Sequence, residues 1–95
     1  MPVIAPTRRP DVQEGTPETV REWIVIVHDN DWNTFEQVID ILQKATGCSL
    51  EEAQMETWEV HHLGRSLVHH GDREECRRVA DVIQTIGIRV TVESM

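Results

Sequence analysis

Residues 34 to 87 hold three apolar stripes of helical period, each opened by a side chain able to cap a helix and closed by a glycine. Two runs of β-branched residues frame the set, and few folds satisfy that punctuation. Before the first stripe, Trp23-Ile24-Val25-Ile26-Val27 is short, apolar and β-branched, and it ends in His28-Asp29-Asn30-Asp31. That pattern is a buried strand entering a loop. Phe35, Val38, Ile39, Leu42 and Ala45 then recur at helical spacing, with Thr34 and Gln37 in capping-box register and Gly47 as the stop, which predicts a helix over about 34 to 46. Ser49 repeats the device: its hydroxyl can accept from the Glu52 amide while the Glu52 carboxylate reaches back, opening a helix over about 50 to 62 that ends before Gly64.

Ser66-Leu67-Val68-His69 is a short strand, and Asp72 with Glu75 opens a third helix whose Cys76, Val79, Ala80 and Ile83 share one face. Gly87 closes it. Ile88, Val90 and Val92 alternate with Arg89, Thr91 and Glu93, the period of a strand with one wet face. The expected fold is α+β in the order β-α-α-β-α-β, a small three-stranded sheet with three helices packed on one side.

All four prolines (Pro2, Pro6, Pro10 and Pro17) stand in the first 17 residues amid polar neighbours, so residues 1 to 20 are expected to form a flexible tail and 21 to 95 the folded domain. A domain of that size buries roughly 60% of its unfolded surface and has little room for a deep enzymatic cavity. The net charge of −8 and pI near 4.9 repel phosphate backbones and anionic membranes, so neither nucleic acid nor a membrane surface is an expected partner. Arg73, Arg77 and Arg78 could form a basic patch, but they alternate with Glu74 and Glu75 and read as a solvated, salt-bridged face.

Cys48 and Cys76 match no CxxC pattern, which predicts reduced thiols rather than a disulfide framework or zinc site. With no apolar run suited to a signal peptide or a membrane span, the expectation is a soluble protein of the cytoplasm. Five histidines (His28, His61, His62, His69 and His70) raise a metal site. Neighbours on a strand point to opposite faces, however, so His69 and His70 cannot share one, and neither metal nor other cofactor is expected. No nucleophile stands with a plausible base and no glycine loop suits a phosphate, so no catalytic residue is assigned; an Asp31/His61 acid–base pair has nothing to fix its substrate. Met55 and Trp58 form a helical stripe with His62 and read as packing residues.

Taken in order, W-I-V-I-V-H-D-N-D-W-N, E-Q-V-I-D-I-L-Q-K and E-V-H-H-L-G-R resemble ClpS, the adaptor family that recognises N-degrons for the AAA+ unfoldases ClpA or ClpC. The resemblance covers residues 22 to 93 with an apparent deletion near Gly71. It implies a pocket for a free peptide N-terminus. An ammonium carries three donors, so such a pocket offers about three acceptors, at least one charged, beside an apolar hole for the first side chain. In the family the polar groups are an Asn and an Asp after the first strand and a His closing the second helix. Matched without gaps, these positions fall on Asp29, Asn30 and His61; a one-residue slip puts Asn30 and Asp31 in the usual order. The wall positions fall on Asn33, Phe35 and Thr57, where the family has a Thr and two Met, and on Val38 and Val60, retained in kind. Phe35 narrows the hole and Thr57 widens it elsewhere.

An acidic and a basic residue of the third helix that dock the protease map to Glu74 and Arg78. The resemblance thus implies a monomeric adaptor that binds substrates with a bulky apolar first residue and hands them over, its tail gripped by the unfoldase. The competing expectation is a scaffold of the same fold that docks on the protease as modulator or inhibitor without binding N-degrons.

Overall fold

Thr34 turns the chain into its first helix by a closed pair of bonds: its hydroxyl accepts from the Gln37 amide at 3.1 Å, and the Gln37 side chain accepts from the Thr34 amide at 3.0 Å. The helix so begun is one of six elements in a computed structural model that describes residues 22–95. In chain order they are β1 (Trp23–His28), α1 (Phe35–Thr46), α2 (Leu50–Leu63), β2 (Arg65–Gly71), α3 (Arg73–Gln84) and β3 (Val90–Ser94). The order is the expected β-α-α-β-α-β. The expected tail over 1 to 20 lies outside the described residues.

The caps differ in completeness. Ser49 accepts from the Glu52 amide at 3.1 Å, the first half of the predicted box without the reciprocal bond, and Asp72 accepts from the Glu75 amide at 2.8 Å. Gly47 and Gly64 end α1 and α2 in the left-handed conformation, at φ 73° and 91°, which a side chain would resist. α3 instead stops at Gln84, and Gly87 at φ 85° closes the turn beyond it. That turn pushes β3 to start at Val90 rather than at the expected Ile88, which lies buried just before the strand.

The sheet runs β2-β1-β3, with both pairings antiparallel. β1 is central, so its inward residues Val25 and Val27 are fully buried. β2 is longer than predicted because it pairs with the whole of β1, from His28 opposite Arg65 to Trp23 opposite Gly71. Its ladder steps from the Val25–His69 pair to Ile26–Leu67, leaving Val68 as the extra residue of a bulge, and Val68 joins the core. Leu42 of α1, Ala53 and Val60 of α2, and Cys76 and Ile83 of α3 close over the same face. Fully burying a side chain of Leu or Ile size contributes roughly 1.5–3 kcal/mol, so Leu42 and Ile83 each contribute on that scale.

Candidate functional site

Two backbone bonds bring the chain's polar loop to the end of α2. After β1, the His28 amide donates to the Arg89 carbonyl at 3.0 Å, and the Asp29 amide donates to the Gly64 carbonyl at 2.9 Å. Gly64 can offer that carbonyl because its left-handed turn ends α2 there, its own amide capping the Val60 carbonyl at 3.0 Å. Asp29 is therefore held against the last turn of α2, where His61 stands. Asp29 Oδ1 and His61 Nδ1 are 3.6 Å apart, too far for a hydrogen bond, and their side chains are 35% and 46% exposed. A carboxylate and an imidazole thus stand side by side near contact distance, both open to solvent.

The other loop side chains are arranged differently. Asn30 Oδ1 accepts from the Trp32 and Asn33 amides at 3.2 and 3.0 Å, and its Nδ2 donates to Asn33 Oδ1 at 2.7 Å. Both lone pairs of its carbonyl are used in folding the loop on itself. Asn33 Nδ2 donates to Gln37 Oε1 at 3.1 Å and to the Ile86 carbonyl at 2.9 Å, pinning the loop to α1 and to the turn after α3. Asp31 is exposed. The structure thus brings Asp29 and His61 together and engages Asn30 and Asn33 in the loop's own bonding.

Phe35 leans its ring edge on His61, centroids 4.8 Å apart and planes at 73°. Val38 from α1 and Thr57 and Val60 from α2 are 5%, 1% and 2% exposed. Thr57 Oγ1 donates to the Ala53 carbonyl at 2.7 Å, so its polar group is satisfied within the helix. These three residues are thus enclosed within the domain, whereas Phe35 and His61 reach its surface.

Burial, followed by the charges of Arg89 and Arg65, holds the His28 imidazole below the usual histidine range, and its Nε2 meets Thr91 Oγ1 at 3.1 Å. His28 is thus a neutral sheet residue beside the loop. Burial likewise pushes the Cys76 thiol up, so it is a poor nucleophile. His69 donates to Glu75 at 2.7 Å and His70 to Glu22 at 3.2 Å, on different carboxylates, and among the described residues no three His, Cys, Asp or Glu converge as metal ligands. Among these residues, too, no helix is long and apolar enough to cross a membrane.

Glu74 and Arg78 are exposed one turn apart on the N-terminal half of α3. That end of α3 adjoins the start of β1, where Arg73 lies 5.5 Å over the Trp23 ring, whereas Asp29 and His61 sit at the opposite end of the strand. Arg78, with Ala45, His69, Glu75, Val79 and Val82, lines a groove of about 340 Å³. On the expected salt-bridged face, Glu75 pairs with His69 of β2 rather than with an arginine of its own helix.

Met55 and Trp58 require a further correction. They are 62% and 50% exposed, not packing residues. Ala53, Thr57 and Val60, at i, i+4 and i+7, mark the buried side of α2, and on a 3.6-residue turn Met55, Trp58 and His62 fall opposite. Both stripes have helical spacing in the sequence, and the segments that pack on α2 set which of them turns inward. Glu56, on the flank of α2, was not singled out. It has one carboxylate oxygen buried without a hydrogen-bond partner, and burial followed by the charges of Glu52 and Glu59 pushes its carboxyl up to about 7.

A small α+β domain with a polar loop tied to a helix end describes the class, and comparison with known proteins makes it particular. Residues 18–91 match the family model of the ATP-dependent Clp protease adaptor protein ClpS. The ClpS adapter protein of Streptomyces coelicolor is 32% identical over 79 residues, covering 83% of this chain and 82% of that protein. That of Corynebacterium jeikeium is 29% identical over 93 residues, covering 94% and 91%. A solved structure of Agrobacterium tumefaciens ClpS2 bound to L-phenylalaninamide superposes with a TM-score of 0.75 at 17% identity, over 79% of this chain and 98% of that one. The chain belongs to the ClpS family of Clp protease adaptors.

Proposed function

We propose that this adaptor holds the free α-amino group of a peptide between Asp29 and His61, lodges a bulky apolar first side chain against Val38, Thr57 and Val60, and delivers the peptide's owner to a ClpA- or ClpC-type AAA+ unfoldase. It acts by binding, not catalysis. The observation that carries this reading is the pairing of Asp29 Oδ1 and His61 Nδ1, 3.6 Å apart and both open to solvent. An ammonium set against both atoms meets a carboxylate oxygen and an imidazole nitrogen, and its third donor can use the second carboxylate oxygen. Asn30 then acts as a positioning residue that shapes the loop. L-phenylalaninamide, carried by the Agrobacterium ClpS2, has a free α-amino group and an aromatic side chain, which supports the same ligand class here. Glu74 and Arg78 form the docking surface, at the far end of β1 from the peptide.

Acetylating the amine removes its charge and two of its donors and adds a group that must find room. Each effect costs on the order of 1 to 3 kcal/mol, so affinity should fall about a hundredfold or more. Fluorescence anisotropy of free and acetylated Phe-initiated peptides, on wild type and His61→Ala, measures this. His61→Ala should weaken the free peptide and change the acetylated one little; equal affinity of wild type for both peptides defeats the reading. The enclosure of Val38, Thr57 and Val60, at most 5% exposed, favours the second reading, a scaffold that docks on the protease without binding N-termini. Wild type that binds neither peptide but still binds the unfoldase supports that one.

A further inference from the structure

Four rings run in series from Phe35 to the outer surface of α2. Phe35 meets His61 at 4.8 Å between centroids, His61 is 6.1 Å from His62, and His62 stacks on Trp58 at 4.4 Å with planes 18° apart. The last pair is locked, because His62 Nδ1 donates to the Trp58 carbonyl at 3.0 Å. Trp58 remains half exposed, with Met55 beside it still more so. An apolar surface of this size, left in water and already ordered, adds nothing to the core. It does offer a ligand a platform that need not be ordered on binding. Its surroundings are acidic: Glu51, Glu52 and Glu59 lie on the same helix, which carries no Lys or Arg, in a chain of net charge −8.

We infer that the Trp58–His62 stack is a subsite for the second residue of the substrate, and that it takes a flat cation, arginine above all. The inference rests on the proposed reading of Asp29 and His61 as the α-amino site. Successive Cα atoms lie about 3.8 Å apart, so a second side chain starts one residue beyond the amine and extends over the adjacent turn of α2. The His62 ring, 6.1 Å from that of His61, lies within reach of such a side chain. A guanidinium stacks on an indole face by cation–π attraction, and the glutamates of α2 complement its charge. An aspartate in the same place gains no such stacking and is repelled by the glutamates of α2.

The test uses full-length protein and Phe-initiated peptides with free N-termini that differ only in a second residue of Arg, Gly or Asp, measured by anisotropy. Wild type should bind in the order Arg, Gly, Asp, with Arg about three- to five-fold tighter than Gly, the range of an exposed cation–π contact. Trp58→Ala and Trp58→Leu should both bring Arg to within about twofold of Gly while leaving the Phe-Gly affinity unchanged; Leu keeps apolar surface and removes the ring. Circular dichroism checks that both variants remain folded. A wild type indifferent to the second residue, or an arginine preference that survives both substitutions, overturns the subsite and leaves the α-amino reading standing. If no free-N-terminus peptide binds wild type, both fall together. Sedimentation that shows a dimer in wild type and a monomer in Trp58→Ala also overturns it, assigning the stack to a second copy of the chain.

Discussion

α2 and α3 lie on the same face of the sheet, yet they distribute their apolar residues in opposite ways. α3 buries Cys76, Val79, Ala80 and Ile83 and turns Arg, Glu and Asp to water. α2 buries the smaller set Ala53, Thr57 and Val60 and exposes Leu50, Met55, Trp58 and Leu63. α3 is thus organised for stability, with its charges on the outer side. α2 has given up part of that one-sidedness, and its exposed rings and terminal His61 stand beside the loop that ClpS-type recognition would use. A helix whose large apolar side chains point outward is a better guide to a binding face than a helix whose charges do.

The contrast can be broken by mutation. Ile83→Ala on α3 removes a fully buried side chain and should destabilise the domain by about 2–5 kcal/mol, whereas Trp58→Ala on α2, at a surface position, should stay within about 0.5 kcal/mol. Urea denaturation of the two variants measures both. A Trp58→Ala loss as large as that of Ile83→Ala would show that the outer face of α2 is structural after all.

A smaller effect comes from Glu56. Its carboxyl, pushed up to about 7 from an ordinary 4.5, is held neutral by the fold and ionises in the unfolded chain at lower pH. Between those values the folded state binds the extra proton, so stability is fullest below 4.5, falls as pH rises to about 7 and levels off above. With allowance for partial solvation, Glu56→Gln should gain about 2 kcal/mol at pH 8 and little at pH 4.5, flattening the slope. Unfolding of both proteins at the two pH values decides it; an unchanged slope in the Gln variant would assign the proton to another group.

The smallest expected change sharpens the role of α3. Reversing the charge of Glu74 or Arg78 should weaken association with the AAA+ partner several-fold at low ionic strength, less at high, and leave peptide affinity and stability intact. Titration of the variant against partner and peptide in parallel separates the effects. Equal loss of both activities would join the two surfaces that the fold holds at opposite ends of β1.

Much of this architecture was legible in the chain itself, because its signals act within a few residues. The Thr34–Gln37 box, the Ser49 and Asp72 caps, the left-handed stops at Gly47 and Gly64, and the apolar periods of α1 and α3 all concern atoms at most a turn or two apart. Local sterics and hydrogen bonding determine such features. Strand lengths were less legible: β2 extends as far as β1 is available to pair with it, and the bulge at Val68 has no local mark in the sequence.

The candidate site depended on long-range partners. Asp29 and His61 are both visible as residues, but they meet only because the Asp29 amide bonds the Gly64 carbonyl, and that follows from the end of α2 lying beside the end of β1. Within the loop, the spacing left two registers open; the bonds of Asn30 to Trp32 and Asn33 distinguish a loop-folding amide from a carboxylate beside His61. The raised carboxyl of Glu56 and the exposure of Trp58 are likewise properties of surroundings built by other segments. The sequence by itself determined where each helix begins, which face of α1 and α3 turns inward, and the resemblance to ClpS, since periodicity and capping need no distant partner. Only the tertiary structure decided which loop carboxylate opposes His61 and that the aromatic side of α2 faces water, because both depend on which surfaces the sheet brings together.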